Sequence, residues 1–217
     1  MEALKADKIN HRIIVAGIGP GHPDYMIPAA KTAIEGARAL IGGKRALEQF
    51  GHPNQRQMAI TRDIPGVMTF IRSELQHQDV VVMASGDPGY YSILDAIRRE
   101  FPRDIIHVIP GISSMQLAFS RLALPWHGAK LLSFHGRLPK TEDLRFEKNA
   151  VLGMLTDGEY DSQSIPKLLM KEGWPSDSSL AICARLSYED ERIIETTLSK
   201  AAETEPIKHG ILIVREP

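Results

Sequence analysis

Short β-branched runs alternate with longer amphipathic ones over the first half of the chain, and that alternation admits few folds. A strand that returns to lie parallel beside its neighbour needs a crossover of about a dozen residues or more, which a helix supplies. The pattern therefore predicts strand-helix-strand units around a largely parallel sheet. Residues 13–16, 39–42, 58–61, 79–84 and 105–109 read as strands, with Asp79-Val80-Val81-Val82-Met83-Ala84 the strongest. Residues 25–38, 64–77, 90–100 and 112–124 read as helices, with Pro28 and Pro65 placed near the starts of the first two, where a missing N–H costs nothing.

Leu124-Pro125-Trp126-His127-Gly128 then sets two breakers in five residues, and a domain boundary is expected there. Beyond it, residues 130–134, 150–155, 179–184, 192–197 and 211–215 read as strands, against one strong helix over 162–172. Strands that outnumber helices cannot all be joined by helical crossovers, so this sheet is expected to be mixed. The expected fold class is α/β in two domains, residues 12–124 and 129–217, with a linker at 125–128 and a short flexible extension over residues 1–11.

Composition narrows the class. A chain of 217 residues can bury one large core or two small ones, and 43% hydrophobic with 24% charged residues is ordinary for a folded globular protein. Lys and Arg number 26 against 27 Asp and Glu, and the resulting net charge of −1 disfavours nucleic acid as a partner. The single cysteine, Cys183, cannot close an intramolecular disulfide or build a thiolate-rich metal site, and in the run Leu180-Ala181-Ile182-Cys183-Ala184 it reads as a small buried hydrophobe. No run approaches the roughly 18 apolar residues of a membrane span. The start, Met1-Glu2-Ala3-Leu4-Lys5-Ala6-Asp7-Lys8, has no signal-peptide core, so a cytoplasmic protein is expected, with neither membrane nor metal.

Three glycine-containing loops follow strands of the first half, where open α/β sheets bind their ligands. Gly17-Ile18-Gly19-Pro20-Gly21 resembles a dinucleotide fingerprint but fails it: His22 stands where the last glycine belongs, and Pro20 removes an amide. A tight strand-to-helix turn explains it equally. Ser85-Gly86-Asp87-Pro88-Gly89 is rich in turn formers, yet Gly86 and Gly89 would let a ligand approach the backbone, and Asp87 could accept from ribose hydroxyls or face a cation. Tyr90 and Tyr91, next in sequence, either wall a pocket or begin the following helix. Pro110-Gly111-Ile112-Ser113-Ser114 opens a helix, and its serines suit either a cap or a polar ligand site.

These loops together resemble the signature segments of the tetrapyrrole methylases, enzymes that use S-adenosylmethionine. Leu124-Pro125-Trp126-His127, Ser133-Phe134-His135-Gly136-Arg137, Leu155-Thr156-Asp157-Gly158 and Leu186-Ser187-Tyr188 leading into Asp190-Glu191-Arg192-Ile193 further resemble the branch that methylates C5 of precorrin-7 in cobalamin synthesis. The likeness runs in family order from about Arg12 to the C-terminus. It implies two α/β domains with the cofactor between them, and a homodimer. Cofactor contacts are implied for Gly86, Asp87, Gly89, Ser113, Ser114, Met154, Leu155 and Ala184. Gly19, Pro20 and Gly21 are implied to face the substrate. His22, Ile27 and Glu189 depart from the family pattern and carry no role.

A corrinoid substrate bears several carboxylates, which Arg forks match. Arg137 is the first candidate clamp, with Arg121 and Arg185 behind it, while His135 could relay a proton or make a structural hydrogen bond. Read without the family, most exposed arginines are simply solvated, Met154 and Leu155 are strand core, and Asp157 and Gly158 are turn residues. The nucleophile implied is the substrate's own carbon, so no Ser-His-Asp constellation is needed. Larger fused relatives carry a decarboxylating C15-methylating module. The resemblance therefore implies the C5 step alone, S-adenosylhomocysteine as product and a separate C15-methylating protein as pathway partner. Alternatives are another methylase of the family, acting on a different precorrin, ribosomal RNA or a modified histidine; a nicotinamide-dependent oxidoreductase, for which Glu35 is a poor ribose-binding acid; and a non-enzymatic ligand-binding protein.

Overall fold

The computed structural model describes residues 11–136 and 138–216. Residues 1–10, most of the expected N-terminal extension, and Arg137 lie outside them. Chain contacts divide the protein into two units, the first ending at Ser113 and the second beginning at Ser114.

The first unit carries a five-stranded sheet of β1 (Ile13–Gly17), β2 (Ala39–Gly42), β3 (Arg56–Ala59), β4 (Val80–Ala84) and β5 (Ile106–Ile109), in the order β3-β2-β4-β1-β5. Every pairing is parallel. Between the strands run α1 (Pro28–Glu35), α2 (Lys44–Phe50), α3 (Ile64–Glu74) and α4 (Leu94–Glu100). The strand period sorts the apolar residues onto two faces. Ile13, Val15, Ala39, Ile41, Val80 and Val82 pack with Val67, Met68 and Ile71 of α3 and Ile97 of α4. Ala16, Leu40, Val81 and Met83 pack with Ala30 and Ile34 of α1. All five residues of β4 are buried, each large side chain contributing about 1.5–3 kcal/mol.

The second unit holds α5 (Ser114–Arg121), β6 (Lys130–Ser133), α6 (Thr141–Leu144), β7 (Val151–Leu155), α7 (Ser164–Lys171), β8 (Ser179–Ala184), β9 (Arg192–Thr197), α8 (Leu198–Ala201) and β10 (Gly210–Arg215). Its sheet, ordered β6-β7-β10-β8-β9, is mixed: β6 and β7 run parallel and the other pairs antiparallel. Leu152, Met154, Leu180, Ile182, Leu212 and Val214 cover one face under Ile165 and Leu169 of α7 and Leu198 of α8. On the other face α5 lies against β7 and β10. There Gly153 makes room for it, since a Cβ at that position would meet Met115 Sδ at 2.7 Å and Phe119 Cε2 at 3.0 Å. That packing assigns α5 to the second unit, so Leu124-Pro125-Trp126-His127-Gly128 falls inside this unit.

Several elements are shorter than the pattern predicts. The first helix starts at Pro28, after a separate 3-10 turn over Pro23–Tyr25, because the residue before a proline is driven extended, as Ile27 is with ψ 147°. Tyr91, in the left-handed region at φ 51°, keeps α4 from starting before Leu94. Ala123, also at φ 51°, lies in the turn beyond Arg121 that ends α5.

Candidate active site

Neighbouring strands β4, β1 and β5 end at the same edge of the first sheet, so the loops over residues 85–89, 17–21 and 110–114 are brought together. Their contact is backbone on backbone. Gly86 N–H donates to Gly19 C=O at 2.8 Å and Gly19 N–H to Gly86 C=O at 3.3 Å. A Cβ on Gly17 would meet Gly111 N at 2.6 Å and Gly86 O at 2.8 Å, and one on Gly111 would strike the Gly86 carbonyl. Gly86 itself sits at φ +70°, where side chains are strained. Asp87 Oδ1 accepts from Gly89 N–H at 2.8 Å and Oδ2 accepts from Gly111 N–H at 2.9 Å. Ser113 is buried beside Gly86, and Ser114 opens α5 half-buried.

Residues beyond the Asp87 loop supply a group that composition could not single out. The Tyr90 hydroxyl is buried and has no hydrogen-bond partner among the described residues. Burial, reinforced by the neighbouring Tyr91, pushes its pKa up, so it stays a proton donor. The two rings meet edge to face at 4.8 Å, and both residues precede α4. Gly19 is buried, while Pro20 and Gly21 are half-buried at the same edge.

In the second unit, β10 lies between β7 and β8, with Ile211 registered against both Leu155 and Cys183, and Gly210 against Ala184. Met154 and Ala184 are buried, and Met154 points into the core. Asp157, just beyond β7, accepts from Tyr160 N–H at 2.7 Å, Glu159 N–H at 2.8 Å and Gly136 N–H at 3.3 Å, tying the loop after β6 to its own. The Tyr160 amide first, with those of Glu159 and Gly136, holds its carboxyl below the ordinary range. His135 is exposed, and its N–H donates to Ser133 Oγ at 3.2 Å.

The turn from β8 to β9 is strained and braced. Arg185 and Ser187 are non-glycine residues at φ 54° and 73°. Glu191 accepts from Arg121 Nε at 2.6 Å and from Ser187 N–H at 2.7 Å. The Arg121 guanidinium, and then the Ser187 amide, hold the Glu191 carboxyl below its ordinary range. Arg185 pairs with Asp190 at 2.9 Å and lies over the Tyr188 ring at 4.4 Å. Both candidate clamps in this unit therefore have carboxylate partners of their own. Cys183 is buried, and its thiol is pushed up to about 12, chiefly by that burial, which leaves no thiolate for chemistry.

The sequence offers Tyr90 only as a pocket wall or the start of a helix, and it gives Glu191 no role. Glu191 follows Arg121 by 70 residues, so no local spacing signals the pair. Among the described residues no group of three or more His, Cys, Asp or Glu could hold a metal ion, and no helix is long and apolar enough to cross a membrane.

A parallel sheet that gathers three loops outside the carboxyl ends of adjacent strands defines a ligand-binding α/β protein. The failed dinucleotide fingerprint separates it from the nicotinamide-binding members of that class. The family model for Tetrapyrrole (Corrin/Porphyrin) Methylases matches residues 12–202, and the chain belongs to that family. It is 32% identical over 181 residues to the cobalt-precorrin-7 C(5)-methyltransferase of Salmonella typhimurium, covering 83% of this chain and 88% of that protein. It is 26% identical over 194 residues to the probable cobalt-precorrin-7 C(5)-methyltransferase of Methanocaldococcus jannaschii, covering 88% and 91%. The crystal structure of the precorrin-6Y methylase of cobalamin biosynthesis from Archaeoglobus fulgidus superposes with a TM-score of 0.71 at 26% identity, covering 95% of this chain and 98% of that one.

Proposed function

We propose that this methylase transfers a methyl group from S-adenosylmethionine to C5 of precorrin-7 or cobalt-precorrin-7 in cobalamin biosynthesis. The observation that carries the reading is the 32% identity to a cobalt-precorrin-7 C(5)-methyltransferase over 83% of the chain. The loop edge fits such a cofactor: Gly89 is exposed there without a side chain, and the buried Tyr90 hydroxyl still lacks a partner among the described residues.

When bound, S-adenosylmethionine supplies an electrophilic methyl on a sulfonium, which passes in line to a carbon nucleophile. That chemistry asks the protein for alignment and exclusion of water more than for a strong base. Gly86, Asp87, Gly89 and Ser113 in the first unit, and Ser114, Met154, Leu155 and Ala184 in the second, are the residues proposed to hold the cofactor. Gly19, Pro20 and Gly21 are proposed to face the tetrapyrrole. Arg137 is proposed as a clamp for a substrate carboxylate, and His135 as a proton relay. Arg121 and Arg185, already paired with Glu191 and Asp190, are proposed to face a substrate carboxylate only behind Arg137. A homodimer, a cytoplasmic location and a separate C15-methylating protein complete the reading, and these three rest on family resemblance.

The test is to incubate the protein with S-adenosylmethionine carrying a carbon-13 methyl and either precorrin-7 or cobalt-precorrin-7. Label at C5 of the product by NMR is the expected result. Label at another ring carbon overturns the C5 assignment, and transfer to neither substrate overturns the reading.

A further inference from the structure

A carboxylate at a strand end can accept from ribose hydroxyls, face a cation or close a turn, and the position of Asp87 leaves all three open until its two oxygens are followed. Oδ1 takes the Gly89 N–H at 2.8 Å and so closes its own loop. Oδ2 takes the Gly111 N–H at 2.9 Å, 24 residues further along the chain. Hydrogen bonds from backbone amides to an ionised carboxylate are among the stronger ones a protein makes, so both oxygens are turned toward the main chain.

Gly111 is the point at which such a tie has most leverage. Its backbone is wedged between Gly17 and the Gly86 carbonyl, close enough that a Cβ on Gly17 would lie 2.6 Å from Gly111 N. Gly86 is in turn bridged to Gly19 in both directions. Ser113, two residues beyond Gly111, has its Cα only 3.3 Å from where a Gly86 Cβ would stand. A displacement of the Gly111 peptide therefore moves the backbone of all three loops.

We infer that Asp87 is a positioning residue: its carboxylate pins the loop over residues 110–113 to the loop over residues 85–89, and it serves the cofactor through that loop and not by touching the ribose. This deepens the S-adenosylmethionine reading and rests on it. Backbone groups of the pinned loops then make the contacts, which is what a site built on glycines can offer.

The experiment compares wild type with Asp87→Ala by amide hydrogen exchange and by calorimetric titration with S-adenosylhomocysteine and with its 2′,3′-dideoxy analogue, which lacks the ribose hydroxyls. Without ligand, Asp87→Ala should lose protection at the Gly111 amide while the β1 and β4 amides keep theirs. Its affinity for S-adenosylhomocysteine should fall by about tenfold or more, as expected when a charge-assisted tie is lost. Removal of the ribose hydroxyls should weaken wild type and variant by the same factor, because groups that do not touch give multiplying losses. Asp87→Asn keeps one acceptor oxygen and should fall between the two proteins in both readouts, which serves if Asp87→Ala does not fold. Unchanged exchange at Gly111, or a variant indifferent to the ribose hydroxyls, overturns the positioning role. Failure of wild type to bind S-adenosylhomocysteine at all overturns the cofactor reading instead.

Discussion

The two units hold their strand-end loops by opposite means. In the first, side chains are removed: Gly17, Gly86 and Gly111 let three backbones touch, with Asp87 as the tie between two of them. In the second, side chains are added: Asp157 binds three amides, while Glu191 and Asp190 take Arg121 and Arg185 around a turn with two left-handed non-glycine residues. The contrast teaches where each unit is vulnerable. A loop cluster made of glycine is intolerant of a single carbon and leans on one carboxylate tie, whereas one made of ion pairs responds to protonation.

The largest effect that would break this contrast is expected at Gly111. A Gly111→Ala methyl strikes the Gly86 carbonyl, and neither backbone can give way without the other loops, so the first unit should lose about 3 kcal/mol in denaturant unfolding. A loss near zero would show that the loops are not interlocked. Glu191→Gln comes next. It removes the charge facing Arg121 and weakens the acceptor for Ser187 N–H, and for a partly exposed pair about 1 kcal/mol is expected from the same measurement.

The smallest effect is pH dependence, and it should fall on the second unit. Asp157 and Glu191 have folded-state pKa values held below their unfolded values of about 3.9 and 4.3. A depressed carboxylate stabilises fully above its unfolded pKa, and that contribution is lost as pH falls through the folded one. Thermal melts should therefore drop on the acid side of about pH 4, and Asp157→Asn should flatten that drop. An equal slope in wild type and variant would remove Asp157 from the account.

Much of this was legible from residue order. The pattern places strands over 39–42, 179–184 and 192–197, and the structure has β2, β8 and β9 there. The run of valines in β4 and the glycines after it marked the edge at which the three loops gather, because a strand buried on both faces must release its chain into a turn. What stayed hidden was non-local. α2 has only Ala46, Leu47 and Phe50 to bury, too few to announce a helix, and it packs only because Leu40 and Met83 lie beneath. α5 reads as a continuation of the first half until Gly153 shows which sheet it lies on. The Asp87 bond to Gly111 and the Arg121 pair with Glu191 span 24 and 70 residues, and only the folded chain brings those partners together.

The central claim is that the glycine-built edge belongs to an S-adenosylmethionine-dependent methylase and not to a dinucleotide enzyme. Side-by-side calorimetric titration of the protein with S-adenosylhomocysteine and with NAD tests it most directly. Binding of S-adenosylhomocysteine with no heat from NAD is the predicted result. NAD binding with none for S-adenosylhomocysteine would contradict it.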